Sequence, residues 1–152
     1  MVLMACFMLE DKPTHYRFSE WPLHLTLAPW FNIDNVDLPK FIDLLDNLFD
    51  QSGPLMIRLK DKQWFGHNRE VPVMIVDDNE RLIKLHESLL SGINQIGRII
   101  ATDHTGNNYR PHITLKDNHK LTSGRKFDLN KIYIVSGQNN CLRQIVQVIN
   151  MD

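Results

Sequence analysis

The phrases "PLHLTL" at Pro22–Leu27 and "RPHITL" at Arg110–Leu115 are nearly identical, and one chain of 152 residues carries both. Each sets a histidine two positions before a threonine inside a run of Pro, Leu and Ile. Such aliphatic runs read as strands, where successive side chains point to opposite faces. His24 and Thr26 then share one face, while Leu23, Leu25 and Leu27 take the other. In the second copy His112, Thr114 and Lys116 point one way, and Pro111, Ile113 and Leu115 the other. The aliphatic faces require a core. The polar faces require water or each other, because an unpaired polar group in a dry interior is costly.

The two histidines are 88 residues apart (112 − 24). That spacing is too long for a solenoid repeat and fits one internal duplication. Around the first copy, Val2–Leu9 and Leu23–Trp30 read as strands, and Leu38, Phe41, Ile42, Leu45, Leu48 and Phe49 recur at helical spacing. Asp37 is placed to cap that helix, and "SGP" at Ser52–Pro54 to stop it. Further strands are expected from Leu55, where apolar and polar residues alternate, and over Val71–Asp78. A second helix follows, with Asp77 and Glu80 spaced as a capping box and a stripe from Leu82 to Ile96 ending at Gly97. Strands near Lys131–Ser136 and Leu142–Ile149 close the chain. The expected fold is α+β: a single domain over residues 1–152 made of two pseudo-symmetric lobes, each contributing one His-x-Thr strand.

If the lobes pack as a pseudo-symmetric pair, the polar faces line one cleft, where two imidazoles and two hydroxyls converge. In-line attack on a phosphodiester needs a base at the nucleophile and an acid at the leaving oxygen. Histidine serves for both, since its pKa of ~6.5 admits either form near neutrality. Thr26 and Thr114 can donate to the non-bridging phosphate oxygens as charge builds there, and Lys116 can assist. Arg110 alternates onto the same face as His112, where a phosphate contact and plain surface solvation are both open.

The scheme requires neither metal nor cofactor, and no tight ligand spacing appears. His15, His67, His104 and His119 fall in polar loops, and His86 is read as a partly buried helix residue. Cys6 and Cys141 lack any CxxC spacing and read as buried free thiols. Tyr109, Trp64, Phe65 and Trp30 lie near cleft elements, where stacking on a nucleobase and filling the core are equally open. Lys plus Arg number 17 against 18 acids, a net charge of −1. This excludes a polybasic nucleic-acid binder but leaves room for a small phosphate-bearing substrate or a concealed local basic patch. The apolar N-terminus has neither a basic flank nor a cleavage pattern and is too short to cross a bilayer. A cytoplasmic monomer without membrane contact is the expectation.

"HLTL" and "HITL" are two copies of H-x-[ST]-x with aliphatic x, and here the sequence resembles the two-histidine (2H) phosphoesterase superfamily. It looks most like the bacterial 2'-5' RNA ligase / 2',3'-cyclic phosphodiesterase branch. "WFG" at Trp64–Gly66, then "VPVMIV", "RLIKLHESL" and "YRPHITL" follow that family's order. The resemblance implies a duplicated bilobal fold, with two antiparallel sheets lining a central cleft and helices packed outside. It implies catalytic roles for His24, Thr26, His112 and Thr114. It also implies action on 2',3'-cyclic phosphates or 2'-5' phosphodiesters of RNA ends or small nucleotides, or the reverse ligation. A shortened connection between the first strand and the first motif is the departure from larger relatives. Two other readings stand beside this one: a non-catalytic RNA- or nucleotide-binding module, and an enzyme for a small cyclic nucleotide or an ADP-ribose cyclic phosphate.

Overall fold

The computed structural model describes residues 1–101, 105–116, 119–137 and 142–151. His104 and Cys141, expected in a loop and a strand, lie outside that set. The wholly apolar run Val2–Met8 forms β1, buried because strands flank it and packed residues cover both faces. Its neighbours are β3 (His24–Ile33), which carries the first motif, and β9 (Lys131–Gly137). Beyond β9 come β10 (Arg143–Asn150) and the two-residue β2 (Arg17–Phe18).

On its other side β3 meets β7 (His112–Thr114), the second motif, followed by β5 (Val71–Val76), β4 (Leu55–Phe65) and β8 (Lys126–Leu129). A short β6 (Gly97–Ile99) pairs separately with β3. Every pairing between described strands is antiparallel. The α+β class holds, and the expected two sheets are joined edge to edge along β3 and β7 into one curled path. The sheet halves are not contiguous stretches of chain: β9 and β10, from the C-terminal end, complete the half that holds β1 and β3. The strands β2, β6 and β8 are two to four residues long, too short to show a period of two in the sequence.

Helix α1 (Leu38–Phe49) and helix α2 (Glu80–Ile96) occupy the expected positions, but their caps differ from expectation. Asp37 makes no side-chain capping bond, since a 3-10 turn over Asn35–Asp37 leads straight into α1. At α2 the cap is Asn79, whose side-chain oxygen accepts the Leu82 N–H at 3.0 Å, and Asp77 instead accepts from Asp78. Asn79 wins because its extended backbone places the side chain over the first turn.

Phe41, Leu45 and Phe49 of α1 and Leu82, Leu89 and Ile93 of α2 pack on the face of β1 and β3 that presents Phe7, Leu25 and Leu27. Each such side chain contributes roughly 1.5–3 kcal/mol by leaving water. The pairings Cys6↔Thr26 and Met8↔His24 put those four residues on the opposite face. There a second, smaller cluster forms from Cys6, Met8, Phe18, Tyr133, Val135 and Ile145, with Trp21 and Trp30 against it. The helices thus cover one side of the sheet and leave the motif face open.

Candidate active site

Leu25 pairs with Ile113 across the β3–β7 seam. In an antiparallel pair the residues on either side of such a match oppose each other in reverse order, so His24 lies across from Thr114 and Thr26 across from His112. Side chains at directly opposed positions share a face. The four polar residues therefore form a square on the open face, with the histidines on one diagonal and the threonines on the other. Sheet geometry sets the diagonal at about 7–8 Å between backbones, a span that a phosphate group can bridge. Thr26 is half-buried and Thr114 exposed.

Both rings are held in the same way. The Nδ1 of His24 is 2.9 Å from the Pro22 carbonyl oxygen, and the Nδ1 of His112 is 2.7 Å from that of Arg110. A carbonyl only accepts, so each Nδ1 carries the proton, and Nε2 is the ring nitrogen that can gain or lose one. In both motifs the acceptor lies two residues before the histidine, so the local phrase orients its own ring. An aromatic flanks each imidazole: Trp21 at 4.4 Å between ring centres for His24, and Phe65 edge-on at 4.8 Å for His112.

Burial lowers the pKa of His24 below its ordinary value. The Pro22 carbonyl opposes this, while the positive charges of His112 and Lys116 push the same way as burial. His24 is thereby held neutral, with a lone pair at Nε2, when its neighbours carry charge.

A buried polar strut, absent from the sequence reading, supports the square from behind. His86 is wholly buried rather than partly so. Its Nδ1–H donates to the Leu27 carbonyl at 2.6 Å, and its Nε2 accepts the Gly106 N–H at 3.0 Å. The ring stacks on Tyr109 at 3.7 Å between centres and 10° between planes, and the Tyr109 hydroxyl donates to the Thr26 carbonyl at 2.7 Å. Tyr109 thus resolves toward a packing role, tying the segment before β7 to the backbone of β3. Burial raises the pKa of the Tyr109 hydroxyl, so it remains a donor. An apolar stripe with one histidine on its border was the only sequence signal for this pair.

The remaining expected residues lie at the edges of the square. The exposed Arg110 donates from Nη2 to Gln63 Oε1 at 2.7 Å and stacks on the Phe65 ring at 4.9 Å. With Thr26, His112, Met4, Trp30 and Tyr109 it lines an apolar cavity of about 240 Å³. Lys116 lies beyond the end of β7, and its Nζ donates to the Trp21 carbonyl, beside a second cavity of about 410 Å³. Sequence reasoning missed Trp21, because nothing in "EDKPTHYRFSEW" marks it as a neighbour of His24. Trp64 is exposed, with the Lys62 ammonium over its ring at 4.8 Å.

Cys6 is a buried free thiol whose pKa burial drives upward, as the sequence suggested. Among the described residues no group of three or more His, Cys, Asp or Glu could hold a metal ion. No described helix is long and apolar enough to cross a membrane.

The family model for the 2'-5' RNA ligase superfamily matches residues 9–126. No curated protein sequence matches the chain. Among solved structures, TT0787 of Thermus thermophilus is similar with a TM-score of 0.67 and 17% identity, covering 99% of this chain and 98% of the other. A protein described as a phosphoesterase matches at TM-score 0.67 and 15% identity, covering 98% and 97%. E. coli LigT complexed with 3'-AMP matches at TM-score 0.66 and 15% identity, again covering 98% and 97%.

Proposed function

The chain belongs to the 2'-5' RNA ligase superfamily, and from that membership we propose that it is a metal-independent phosphoesterase acting on 2',3'-cyclic phosphate or 2'-5' phosphodiester bonds of RNA ends or small nucleotides. The observation that carries this reading is the matched pair of carbonyl-anchored imidazoles on one diagonal of a square whose other corners are Thr26 and Thr114. The 3'-AMP held by the LigT relative supports a nucleotide as the ligand class. Residues 1–152 act as one domain, with two lobes meeting at the β3–β7 seam.

In hydrolysis of a cyclic phosphate, the neutral Nε2 of His24 takes a proton from water as the water oxygen bonds to phosphorus. The bond from phosphorus to one ribose oxygen breaks on the opposite side, and Nε2–H of His112 supplies the proton to that oxygen. Thr26 and Thr114 hydroxyls donate to the non-bridging oxygens, where negative charge grows. Arg110 and Lys116 add positive potential at the rim. In ligation the 5'-hydroxyl of a nucleotide takes the place of water: His24 accepts its proton as its oxygen bonds to phosphorus, and His112 again protonates the departing ribose oxygen. The two histidines exchange roles when the resulting 2'-5' phosphodiester is cleaved back to the cyclic phosphate, the ribose hydroxyl attacking and the 5' oxygen leaving. The lowered pKa of His24 supports its assignment as the base for hydrolysis.

The test is steady-state hydrolysis of 2',3'-cyclic nucleotides, RNA with a 2',3'-cyclic end and 2'-5' oligonucleotides. His24→Ala and His112→Ala should each lose on the order of 10²–10⁴-fold in kcat. The double variant should lose less than the product of the two, because both act in one transition state. Thr26→Val and Thr114→Val should lose less than either histidine variant. The wild-type pH profile should be bell-shaped, and its acid limb should vanish in His24→Ala. Hydrolysis that survives both histidine substitutions overturns the reading. Tight 3'-AMP binding with no turnover of any substrate replaces it with a non-catalytic nucleotide-binding module.

A further inference from the structure

A net charge of −1 conceals a local excess of cations beside His24. The cavity of about 410 Å³ at that end of the cleft is lined by Lys12, Lys116, Lys120 and Arg125 against the carboxylates Glu10 and Glu20. Four fixed positive charges face two negative ones among the described lining residues. The balance of the rest of the chain runs the other way.

The cavity begins where the square ends. Trp21 forms part of its wall and also lies against His24, tilted by 33° at 4.4 Å between ring centres, and the Lys116 ammonium bonds the Trp21 carbonyl. Its cations rise from anchored backbone. Leu59 of β4 donates its N–H to the Arg125 carbonyl at 2.9 Å, and the Lys12 N–H donates to the Tyr133 hydroxyl at 3.2 Å. The His119 N–H bonds the Lys116 carbonyl at 2.9 Å, and both residues line the cavity beside Lys120. The Arg125 guanidinium lies over Phe127 at 4.6 Å, which restrains it while leaving the edge N–H groups able to bond. The opposite side of the square differs in kind, since the cavity beyond His112 is walled by Met4, Trp30 and Tyr109 with Arg110 as its one charged residue among those described. An apolar slot on one side and a basic chamber on the other suit a ligand with an uncharged ring at one end and additional anionic charge at the other.

We propose that the basic cavity is an anion subsite that receives a second phosphate group of the substrate, with Lys120 and Arg125 as its principal contacts and Trp21 as the wall shared with the reacting centre. This rests on the phosphoesterase reading above and narrows it: nucleotides with a further phosphate are preferred to a bare cyclic mononucleotide. That phosphate comes either from an adjoining nucleotide or from a pyrophosphate linkage, and the chemistry recognised is the same.

Two measurements on the full chain test the assignment. The first compares kcat/KM for 2',3'-cyclic AMP, for the dinucleotide ApA ending in a 2',3'-cyclic phosphate, and for ADP-ribose 1'',2''-cyclic phosphate. At least one of the two substrates that carry phosphate beyond the cyclic group should exceed cyclic AMP by about tenfold or more, chiefly in KM, as one added charge-assisted contact implies. A gain for the dinucleotide alone identifies a strand phosphate, and a gain for the ADP-ribose compound alone identifies a pyrophosphate. In Lys120→Ala/Arg125→Ala most of that gain should disappear, with a smaller change for cyclic AMP. The second measurement titrates inorganic pyrophosphate by calorimetry into the His24→Ala/His112→Ala variant and into Lys120→Ala/Arg125→Ala. Binding should persist in the former and be lost in the latter, whether or not any substrate is turned over. Equal kcat/KM for all three substrates, or a pyrophosphate affinity unchanged in Lys120→Ala/Arg125→Ala, overturns the subsite even if the histidine variants behave as expected.

Discussion

Mild acid should weaken this protein through His86 before most carboxylates are protonated. Both ring nitrogens of His86 are committed, Nδ1–H to the Leu27 carbonyl and Nε2 to the Gly106 N–H. A proton on Nε2 would set two donors against each other in a fully buried site. Burial holds the pKa below its ordinary value of 6.5, against opposing contributions from the Leu27 carbonyl and the Glu87 carboxylate. The unfolded chain takes up this proton near pH ~6.5, while the folded one resists until a lower pH. Below ~6.5 the unfolded state therefore binds more protons, and stability falls as pH falls, by up to about 1.4 kcal/mol per pH unit, until the folded pKa is reached. His24 is shifted in the same direction and adds to the slope. For a domain of this size about 1 kcal/mol corresponds to roughly 2–4 °C in Tm, so each of the two histidines can lower Tm by at most about 6 °C per pH unit below ~6.5. Urea unfolding followed by tryptophan fluorescence at half-unit pH steps measures it. The variant His86→Gln should start lower, by about 1–3 kcal/mol for each buried partner it leaves unsatisfied, and should show a shallower slope. A flat wild-type curve from pH 6.5 to 5.5, or a curve for His86→Gln parallel to it, would refute the reasoning.

Two further outcomes follow from the site and from the sheet. Hydrolysis of a cyclic phosphate should survive prolonged EDTA treatment, and loss of activity restored by zinc or manganese would sink the metal-independent scheme. Gly97→Ala should lower stability by about 1–3 kcal/mol in chemical denaturation, because a methyl group there collides with the Asn32 carbonyl oxygen and the Ile33 side chain across the β3–β6 pair. An unchanged denaturation midpoint would mean that this pair shifts freely.

The information in this sequence is largely local. Alternation in Leu55–Lys60, the helical stripes of α1 and α2 and the apolar run of β1 were legible, since each period follows from the geometry of one element. The two His-x-Thr phrases were legible for the same reason, and so was the common face shared by histidine and threonine. Even the ring orientation is local, because the Nδ1 acceptor in each copy is the carbonyl two residues earlier. The caps were misread where two candidates lay within a few residues, and backbone conformation decided between Asp77 and Asn79.

Tertiary structure decided whatever depends on which strands become neighbours. The Leu25–Ile113 register converts two separate phrases into one square, and it is set by packing of aliphatic faces whose periodicity specifies a side but not a partner. Trp21 meets His24, Tyr109 meets His86, and four cations gather around one cavity only because the chain returns to the same place from distant positions. Local periodicity encodes which face a residue takes, whereas loop closure and core packing determine what stands across from it.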